Sequence, residues 1–335
     1  MKSSAWLAIL AFCAIVLGGC TTLSKVMVNS QNHEMQTMIE NAQSRLDDPE
    51  VSQYLQEIGT MVLESARRLD KVNDPSHQPD KYLDIYQNFK VLAVNDVLPN
   101  AFVTGNDYAA VNTALLSMAE SPEELVMILG HEFGHLRRGH QVQHMTNVQY
   151  AVVAGAIARE VAKAQGKGKS QEERNLAGER AAATMAAVFL PQTPEKESES
   201  DATAVEIMAE LGLDLQHADD FFVRMLKLYG DAEGSHPKPS VRIARVNAQI
   251  AQLESAGYKP TRTLDRGRFL AVRERIRQIV SDGVERKTIV YFADEMAQES
   301  RGAAIVKPLG CGPLYGDAAN ATAVFYKAIG VSGKR

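Results

Sequence analysis

The sequence predicts an α+β fold that is mainly α-helical. Apolar residues recur at helical spacing along most of the chain from Val51 onward, whereas only the region from Phe89 to Asn112 is typical of β-strands. Two runs, Asp48-Pro49-Glu50 and Ser121-Pro122-Glu123-Glu124, combine a capping residue, a proline and acidic residues, which is how helices begin. We therefore expect a small antiparallel sheet or hairpin among helices, followed by a helical C-terminal part.

The composition is that of a folded globular protein. The chain has 335 residues, of which 45% are hydrophobic and 23% are charged, so global disorder is excluded. Lys and Arg number 36 against 41 Asp and Glu, and no long basic run occurs, so we expect no nucleic-acid partner. Three cysteines are too few for a disulfide scaffold.

The N-terminus has the features of an export signal. Lys2 precedes an uncharged apolar run from Ala5 to Leu17. This run is shorter than the roughly 20 residues that span a bilayer and fits the apolar core of a signal peptide. A buried N-terminal helix is the alternative interpretation of this run.

The residues that follow the apolar run form a candidate lipid attachment site. Leu17-Gly18-Gly19-Cys20 resembles the bacterial lipobox. The resemblance implies cleavage before Cys20, acylation of its sulfur and anchoring through buried acyl chains. Thr21, rather than Asp, implies sorting to the outer membrane. We therefore expect a signal peptide at residues 1–19, a tether at 20–30, and a lipid-anchored protein on the periplasmic face of the outer membrane.

The β region should contain three strands. Phe89 to Val94 is one apolar run, and Ala101–Thr104 and Tyr108–Asn112 flank the turn sequence Gly105-Asn106-Asp107. Gly, Asn and Asp between two apolar runs are typical of a β-hairpin. A sheet of this size places an edge strand at the protein surface or under another element.

Mostly helical structure should follow the sheet. The apolar stretches Tyr150–Ala158 and Ala181–Leu190 are too short to span a membrane, and we expect buried helices joined by a flexible link at Gly166–Ser170. An acidic helix should begin near Pro194. Helical sequence then continues from Asp219 to Gly302, before a Gly- and Pro-rich tail that predicts a loop.

The helix opened at Ser121 contains the motif His131-Glu132-Phe133-Gly134-His135. Residues four apart lie on one face of a helix, so the two imidazoles can bind one metal ion. Glu132 lies beside them, where its carboxylate can hold a metal-bound water. An amphipathic helix with exposed histidines is the alternative. Gly134 argues against it, because glycine costs about 1 kcal/mol inside a helix, and close approach of another element would explain its presence.

A catalytic zinc takes three protein ligands and one water, so a third ligand should come from another segment. The candidates are Glu197 and Asp201, which lie four residues apart on the predicted acidic helix and so share a face. The alternative is an acidic helix start that is simply solvated.

These motifs together resemble the M48 family of zinc metallopeptidases, which are gluzincins. The resemblance is carried by His131–His135, Glu197-x-x-x-Asp201, Pro99–Val103, Val111–Leu116 and the later Ser235-His236-Pro237 with Arg242-Ile243. It covers about Asp48 to Ala251 and implies a zincin-like core. With Cys20, the chain resembles the periplasmic lipoprotein branch of the family. Ser200 stands where the family often has Ala, a small change.

The resemblance implies one Zn²⁺ per chain, bound by His131, His135 and Glu197. Glu132 is expected to be the general base that also returns a proton to the leaving amine. Asp201 should accept a proton from a ligating imidazole and fix its tautomer, unless it is a plain helix charge.

Two later residues should also approach the metal. His236 is expected either to stabilise the oxyanion or to cover the metal as a gate; otherwise it only precedes a helix that begins with proline. Arg242 is expected to pair with an acidic group near the site, or else to be a surface residue.

The hairpin edge at Ala101, Phe102 and Val103 is a candidate for binding an extended substrate as an added strand. The alternative is an edge strand that the protein itself covers.

We therefore expect a peptidase domain at residues 31–256 and a helical C-terminal extension of unknown role at 257–335. The expected function is zinc-dependent endopeptidase activity in the bacterial cell envelope, in which a zinc-activated water hydrolyses internal peptide bonds of misfolded or misassembled envelope proteins. The alternative is a non-hydrolytic or latent zinc-binding assembly factor that binds partners as a chaperone does.

Overall fold

The computed structural model describes residues 36–73, 89–104, 108–140, 143, 161, 170–177, 180, 194–231, 236–292, 294–295, 323, 325–327 and 329. The strands are β1 (Lys90–Val94), β2 (Ala101–Thr104) and β3 (Tyr108–Asn112). The principal helices are α1 (Pro49–Asn73), α2 (Thr113–Met118), α3 (Pro122–Arg137), α4 (Pro194–Glu210), α5 (Asp220–Tyr229), α6 (Pro239–Ser255) and α7 (Arg266–Glu285). The predicted α+β, mainly α class is confirmed.

Both predicted helix starts are confirmed by their capping hydrogen bonds. Asp48 Oδ1 accepts from the backbone N–H groups of Glu50 and Val51 at 3.2 and 3.1 Å, which begins α1. Ser121 Oγ accepts from the N–H of Glu124 at 3.2 Å, which begins α3. These bonds satisfy backbone donors that the first turn of a helix leaves without a partner.

The sheet is mixed rather than purely antiparallel. β2 and β3 pair antiparallel as the predicted hairpin, with Ala101 opposite Val111, and their connecting turn lies outside the described residues. β1 pairs with the other edge of β3 in parallel, so the strand order is β1-β3-β2. The difference arises because β3, the second strand of the hairpin, lies beside β1. β3 runs in the same direction as β1, whereas β2 runs in the opposite direction.

Helices α3 and α4 pack against each other along a pair of glycines. A Cβ atom on Gly134 would lie 2.8 Å from Ser200 Cα, and one on Gly130 would lie 3.1 Å from Ala204 Cα. The first distance is shorter than any ordinary carbon contact, so glycine is required at position 134 for α4 to lie this close. The expectation that Gly134 marks a close approach is confirmed.

Helix α7, in the predicted C-terminal extension, belongs to the same hydrophobic core as the elements before it. Its buried face carries Phe269, Val272, Ile276 and Val280, which cluster with residues of α1, the sheet and α3. The predicted division of the chain at residue 257 stays a prediction.

Arginines on the other positions of α7 bind the neighbouring helices. Arg273 and Arg277 donate to the carbonyl oxygens of Ala119 and Ser117, at the end of α2. Arg275 donates to both carboxylate oxygens of Asp48. Helix α7 therefore stabilises the starts and ends of helices far from it in sequence.

The helical prediction from Asp219 onward is confirmed for α5, α6 and α7, with irregular residues between these helices. Gly230 ends α5 with a φ of 81°, a backbone conformation that favours glycine.

The chain divides into two compact units. Residues 32–138 and 194–335 form one, which holds every element named above. Residues 1–31 and 139–193 form the other, in which residues 171–177 are helical. Among the described helices, none has both the length and the apolar character that crossing a membrane requires.

Several predicted segments lie outside the described residues. They are the signal peptide and tether, the apolar stretches Tyr150–Ala158 and Ala181–Leu190, the link at 166–169 and the tail at 307–317.

Candidate metal centre

The two histidines of the motif face each other on α3. His131 Nε2 and His135 Nε2 are 3.1 Å apart, and the two residues are buried. Two neutral imidazoles cannot both donate along such a contact, and two ring nitrogens aimed at one point are the arrangement that a shared cation stabilises. The predicted one-face geometry is therefore present.

Glu197 reaches these rings from α4. Its Oε2 lies 3.5 Å from His131 Nε2, and its Oε1 lies 3.4 Å from His135 Nε2. Around a tetrahedral zinc with ligand distances near 2.0–2.1 Å, neighbouring ligand atoms are about 3.3–3.4 Å apart. The three side chains fit that spacing, and their N and O donors suit Zn²⁺.

The electrostatics of Glu197 also suit a cation ligand. Burial opposes ionisation of this carboxyl, but His236, His131 and His135 together hold its pKa well below the usual range. The side chain is therefore a carboxylate at neutral pH, which is the form that binds metals.

Glu132 lies next to His131 on the same helix and is 5% exposed. Burial raises the pKa of its carboxyl to about 7, and the negative charge of Glu197 acts in the same direction. A carboxyl with such a pKa can take up and release a proton near neutral pH, which is what a general base requires.

Asp201 contacts the first histidine of the motif, His131, and Arg242 in turn binds Asp201. His131 Nδ1 lies 2.8 Å from Asp201 Oδ1, and Arg242 donates to both oxygens of Asp201 at 2.5 and 3.0 Å. Burial opposes ionisation of Asp201, yet Arg242 and His131 hold its pKa well below the usual range. An ionised Asp201 accepts a hydrogen bond from the Nδ1–H group of His131, so the ring keeps its proton on Nδ1 and Nε2 can bind a metal.

The structure adds Phe222, which the sequence analysis missed. The guanidinium carbon of Arg242 lies 4.0 Å from the centroid of the Phe222 ring on α5, and Phe222 is buried. A guanidinium over an aromatic face is attracted by the ring and loses rotational freedom. Only the apolar spacing of α5 marks this residue in the sequence, and that signal does not distinguish it from other core residues.

His236, which precedes α6, also approaches Glu197 and lies with its ring centroid 5.6 Å from that of His131. Its Nδ1 makes a short contact with Glu197 Oε2, and ligand atoms of His131, Glu197 and His236 all lie within 4.8 Å of one another. Burial lowers the pKa of His236, although Glu197 opposes this shift. The ring is thus brought to the predicted position, and its role stays a prediction.

The predicted substrate edge, β2, packs against α3, the helix that carries the two histidines. β2 is the outer strand of the described sheet next to α3, and Ala101, Phe102 and Val103 are buried. Whether this edge binds a substrate stays a prediction. Cys20, the predicted lipid attachment site, lies outside the described residues.

Comparison with known proteins agrees with this geometry. The chain matches the sequence model of peptidase family M48 over residues 64–250. It is 24% identical over 243 residues to a Vibrio cholerae protein named as a beta-barrel assembly-enhancing protease, an alignment covering 68% of this chain and 44% of that protein. It is 30% identical over 168 residues to metalloprotease YcaL of Escherichia coli, covering 49% of this chain and 62% of that protein.

A third relative is the mitochondrial metalloendopeptidase OMA1 of Arabidopsis thaliana, which is 28% identical over 176 residues, or 50% of this chain and 33% of that protein. The chain thus spans between 33% and 62% of the length of these relatives. The family model covers more than half of the chain, and the matched segment includes the rings, Glu132 and Glu197. The chain therefore belongs to peptidase family M48, as its motifs predicted.

Proposed function

We propose that this member of family M48 is a zinc-dependent endopeptidase of the bacterial cell envelope. Its peptidase domain is assigned to residues 31–256, with His131, His135 and Glu197 as the ligands of one Zn²⁺. The observation that carries the proposal is the convergence of these three side chains. The Nε2 atoms of His131 and His135 are 3.1 Å apart and lie 3.5 and 3.4 Å from the two carboxylate oxygens of Glu197, with the buried carboxyl of Glu132 beside them.

Glu132, Asp201 and Arg242 have separate roles in the proposed hydrolysis. Bound zinc would polarise the scissile carbonyl and make water a nucleophile near neutral pH. Glu132 takes a proton from the attacking water and gives it to the leaving amine. Asp201, held by Arg242, keeps the His131 ring in the tautomer that presents Nε2.

The test of the general base is Glu132→Gln, which keeps the size of the side chain and removes its ability to accept a proton. We expect normal zinc content and a loss of casein cleavage of at least about 100-fold. Glu206→Gln is the matched control, since it removes only the contact between Glu206 and Arg137 on the same pair of helices, and it should cleave casein normally. Cleavage by Glu132→Gln at the wild-type rate would contradict the assignment of Glu132 as the general base.

The proposed substrates are misfolded or misassembled envelope proteins. The name of the Vibrio cholerae relative, a beta-barrel assembly-enhancing protease, supports this class. Lipid attachment at Cys20 would place the chain on the periplasmic face of the outer membrane. Replacing Cys20 by Ala should release the protein from membranes, and a variant that still sediments with outer membranes would contradict this anchor.

A second candidate function is favoured by the position of His236. If His236 binds the metal permanently, the site has four protein ligands, which is the arrangement of a structural zinc. The protein would then be a latent or non-hydrolytic assembly factor that binds partners as a chaperone does.

His236→Ala separates the roles of this ring. A gate predicts faster casein cleavage by the variant, whereas an oxyanion stabiliser predicts a lower kcat at unchanged zinc content. A structural zinc predicts that neither protein cleaves casein and that chelation unfolds the wild type.

A further inference from the structure

The guanidinium of Arg242 lies within hydrogen-bond distance of two different acceptors beside the proposed metal ligands. Its Nη2 is 2.5 Å from Asp201 Oδ1 and 3.1 Å from His131 Nδ1, and its Nε donates to Asp201 Oδ2 at 3.0 Å. Arg242 is 3% exposed, so bulk water does not compete for these donors. A small rotation of the guanidinium therefore decides whether Asp201 or His131 receives the stronger hydrogen bond from Nη2.

The two hydrogen bonds of Nη2 have opposite consequences for the His131 ring. When Nδ1 of this ring carries the proton, it donates to Asp201 Oδ1, and Nε2 can bind zinc. When Arg242 instead donates to Nδ1, that nitrogen has to be the acceptor of the ring. The proton of a neutral imidazole is then on Nε2, where it prevents metal binding. A guanidinium that stays on Asp201 thus favours the form of His131 that binds zinc.

Phe222 limits the rotation of this guanidinium. The Cζ atom of Arg242 lies 4.0 Å from the centroid of the Phe222 ring, and Phe222 is 3% exposed. A guanidinium at this distance lies on the face of the ring, which attracts it. Rotation away from the ring would lose that attraction together with the van der Waals contact between the two groups.

Hydrogen bonds between helices fix the backbone on which these side chains stand. Asn247 Nδ2 on α6 donates to Asp219 Oδ2, just before α5, at 2.8 Å. Gln249 Nε2, also on α6, donates to the carbonyl oxygen of Ala202 on α4 at 3.1 Å. Helix α6 is thus tied to both α5 and α4, so the guanidinium of Arg242 meets fixed partners on both of these helices.

We propose that Phe222 is a positioning residue of the metal centre, which keeps Arg242 on Asp201 and so keeps Nε2 of His131 available to zinc. The proposal rests on the zinc site of the proposed function. Phe222 acts through Arg242, so its loss weakens zinc binding although every ligand stays in the chain. An apolar side chain without an aromatic face can fill part of the core at this position but cannot hold the guanidinium.

The experiment measures the zinc affinity of Phe222→Leu in the full-length protein by competition with a coloured chelator. We expect the affinity to fall about 2- to 30-fold, the range that one cation–π contact supplies. Phe222→Tyr keeps the aromatic face and should bind zinc within about twofold of the wild type. Phe269→Leu is the matched control, because it removes a ring that is 2% exposed from α7, away from the proposed ligands, and it should bind zinc as the wild type does.

A spectroscopic measurement separates positioning from a general loss of core packing. In the zinc-loaded protein, NMR can follow the Nδ1–H proton of His131, whose exchange with solvent reports the strength of its hydrogen bond to Asp201. This proton should exchange faster in Phe222→Leu, as it should in Asp201→Asn. Its exchange in Phe222→Tyr and in Phe269→Leu should equal that of the wild type.

Wild-type zinc affinity and proton exchange in Phe222→Leu would overturn the proposal, as would an equal loss of affinity in Phe269→Leu. If Phe222→Leu does not fold, Phe222→Met takes its place in both measurements, since methionine also lacks an aromatic face. A wild type that binds no zinc overturns both this proposal and the proposed function. A wild type that binds zinc but cleaves no polypeptide refutes the proposed hydrolysis alone, and the two measurements still decide whether Phe222 positions Arg242.

Discussion

Substituting Gly134 by alanine should disturb the metal centre without touching any of its ligands. The new Cβ atom would lie 2.8 Å from Ser200 Cα, whereas carbon atoms pack at about 3.5–4.0 Å. Because the obstacle is backbone, α3 and α4 would have to separate by roughly 0.7 Å or more. Ser200 follows Glu197 by one helical turn, so the carboxylate would move with it.

A shift of that size exceeds the tolerance of a zinc site, in which ligand distances hold to about 0.2 Å. We expect zinc affinity, measured by competition with a coloured chelator, to fall about 10- to 100-fold, the range observed when groups that support ligands are lost. The stability of the metal-free protein should change less. Overpacking costs about 1–3 kcal/mol, and replacing a helical glycine returns about 1 kcal/mol.

Gly283→Ala is the matched control. It adds the same methyl group to α7, where the nearest atom would be Ile289 Cβ at an ordinary 3.4 Å. This variant should bind zinc as the wild type does. Gly130→Ala should fall between the two, since its closest backbone contact is 3.1 Å. Wild-type zinc affinity in Gly134→Ala would refute the reasoning, because it would mean that the two helices separate without moving Glu197.

Three further predictions concern charged groups. Asp201→Asn should lower zinc affinity about 10- to 100-fold in the chelator competition, because the amide cannot orient His131 as the carboxylate does, and it should also lower the stability of the protein, because it leaves the buried Arg242 without its charged partner. Arg224→Ala should lower the free energy of unfolding, measured in urea, by about 3 kcal/mol. The substitution removes the guanidinium that binds the carboxylate of Glu124 at 2.5 Å, and the side chain of Glu124 is 0% exposed. Adding Glu124→Gln should recover part of this loss. The hydrogen bond from Arg275 lowers the pKa of Asp48 below its ordinary value of 3.8, so the stabilisation from this pair is fully present above that pH and is lost as the pH falls through the folded-state pKa. Asp48→Asn should therefore show a flatter decline of the urea midpoint below pH 4 than the wild type, and equal slopes would contradict the assignment.

Local chemistry made much of this site predictable from the sequence. The cap at Ser121 fixes where α3 begins, and four-residue spacing then fixes that His131 and His135 share a face. The cost of a helical glycine correctly indicated that another element lies against Gly134. These inferences depend on the geometry of one helix, which does not change with the rest of the fold.

Features that depend on contacts distant in sequence were not predictable in this way. The parallel pairing of β1 with β3 makes the sheet mixed, and no turn sequence between these strands specifies it. Phe222 lies over Arg242, and Phe292 lies over Phe102, yet each reads in the sequence as one more apolar residue. Periodicity identifies a buried face but does not identify what that face packs against.

The arginines of α7 have a practical consequence for any shortened form of this protein. Ending the chain at residue 256, where the sequence suggests a boundary, would remove the two arginines that donate to the carbonyl oxygens of Ser117 and Ala119. These carbonyls lie immediately before α3, the helix that carries His131 and His135. It would also expose to solvent the core residues that cluster with Phe269 and Ile276. A shortened form of this protein therefore has to retain α7, although none of the proposed metal ligands lies on that helix.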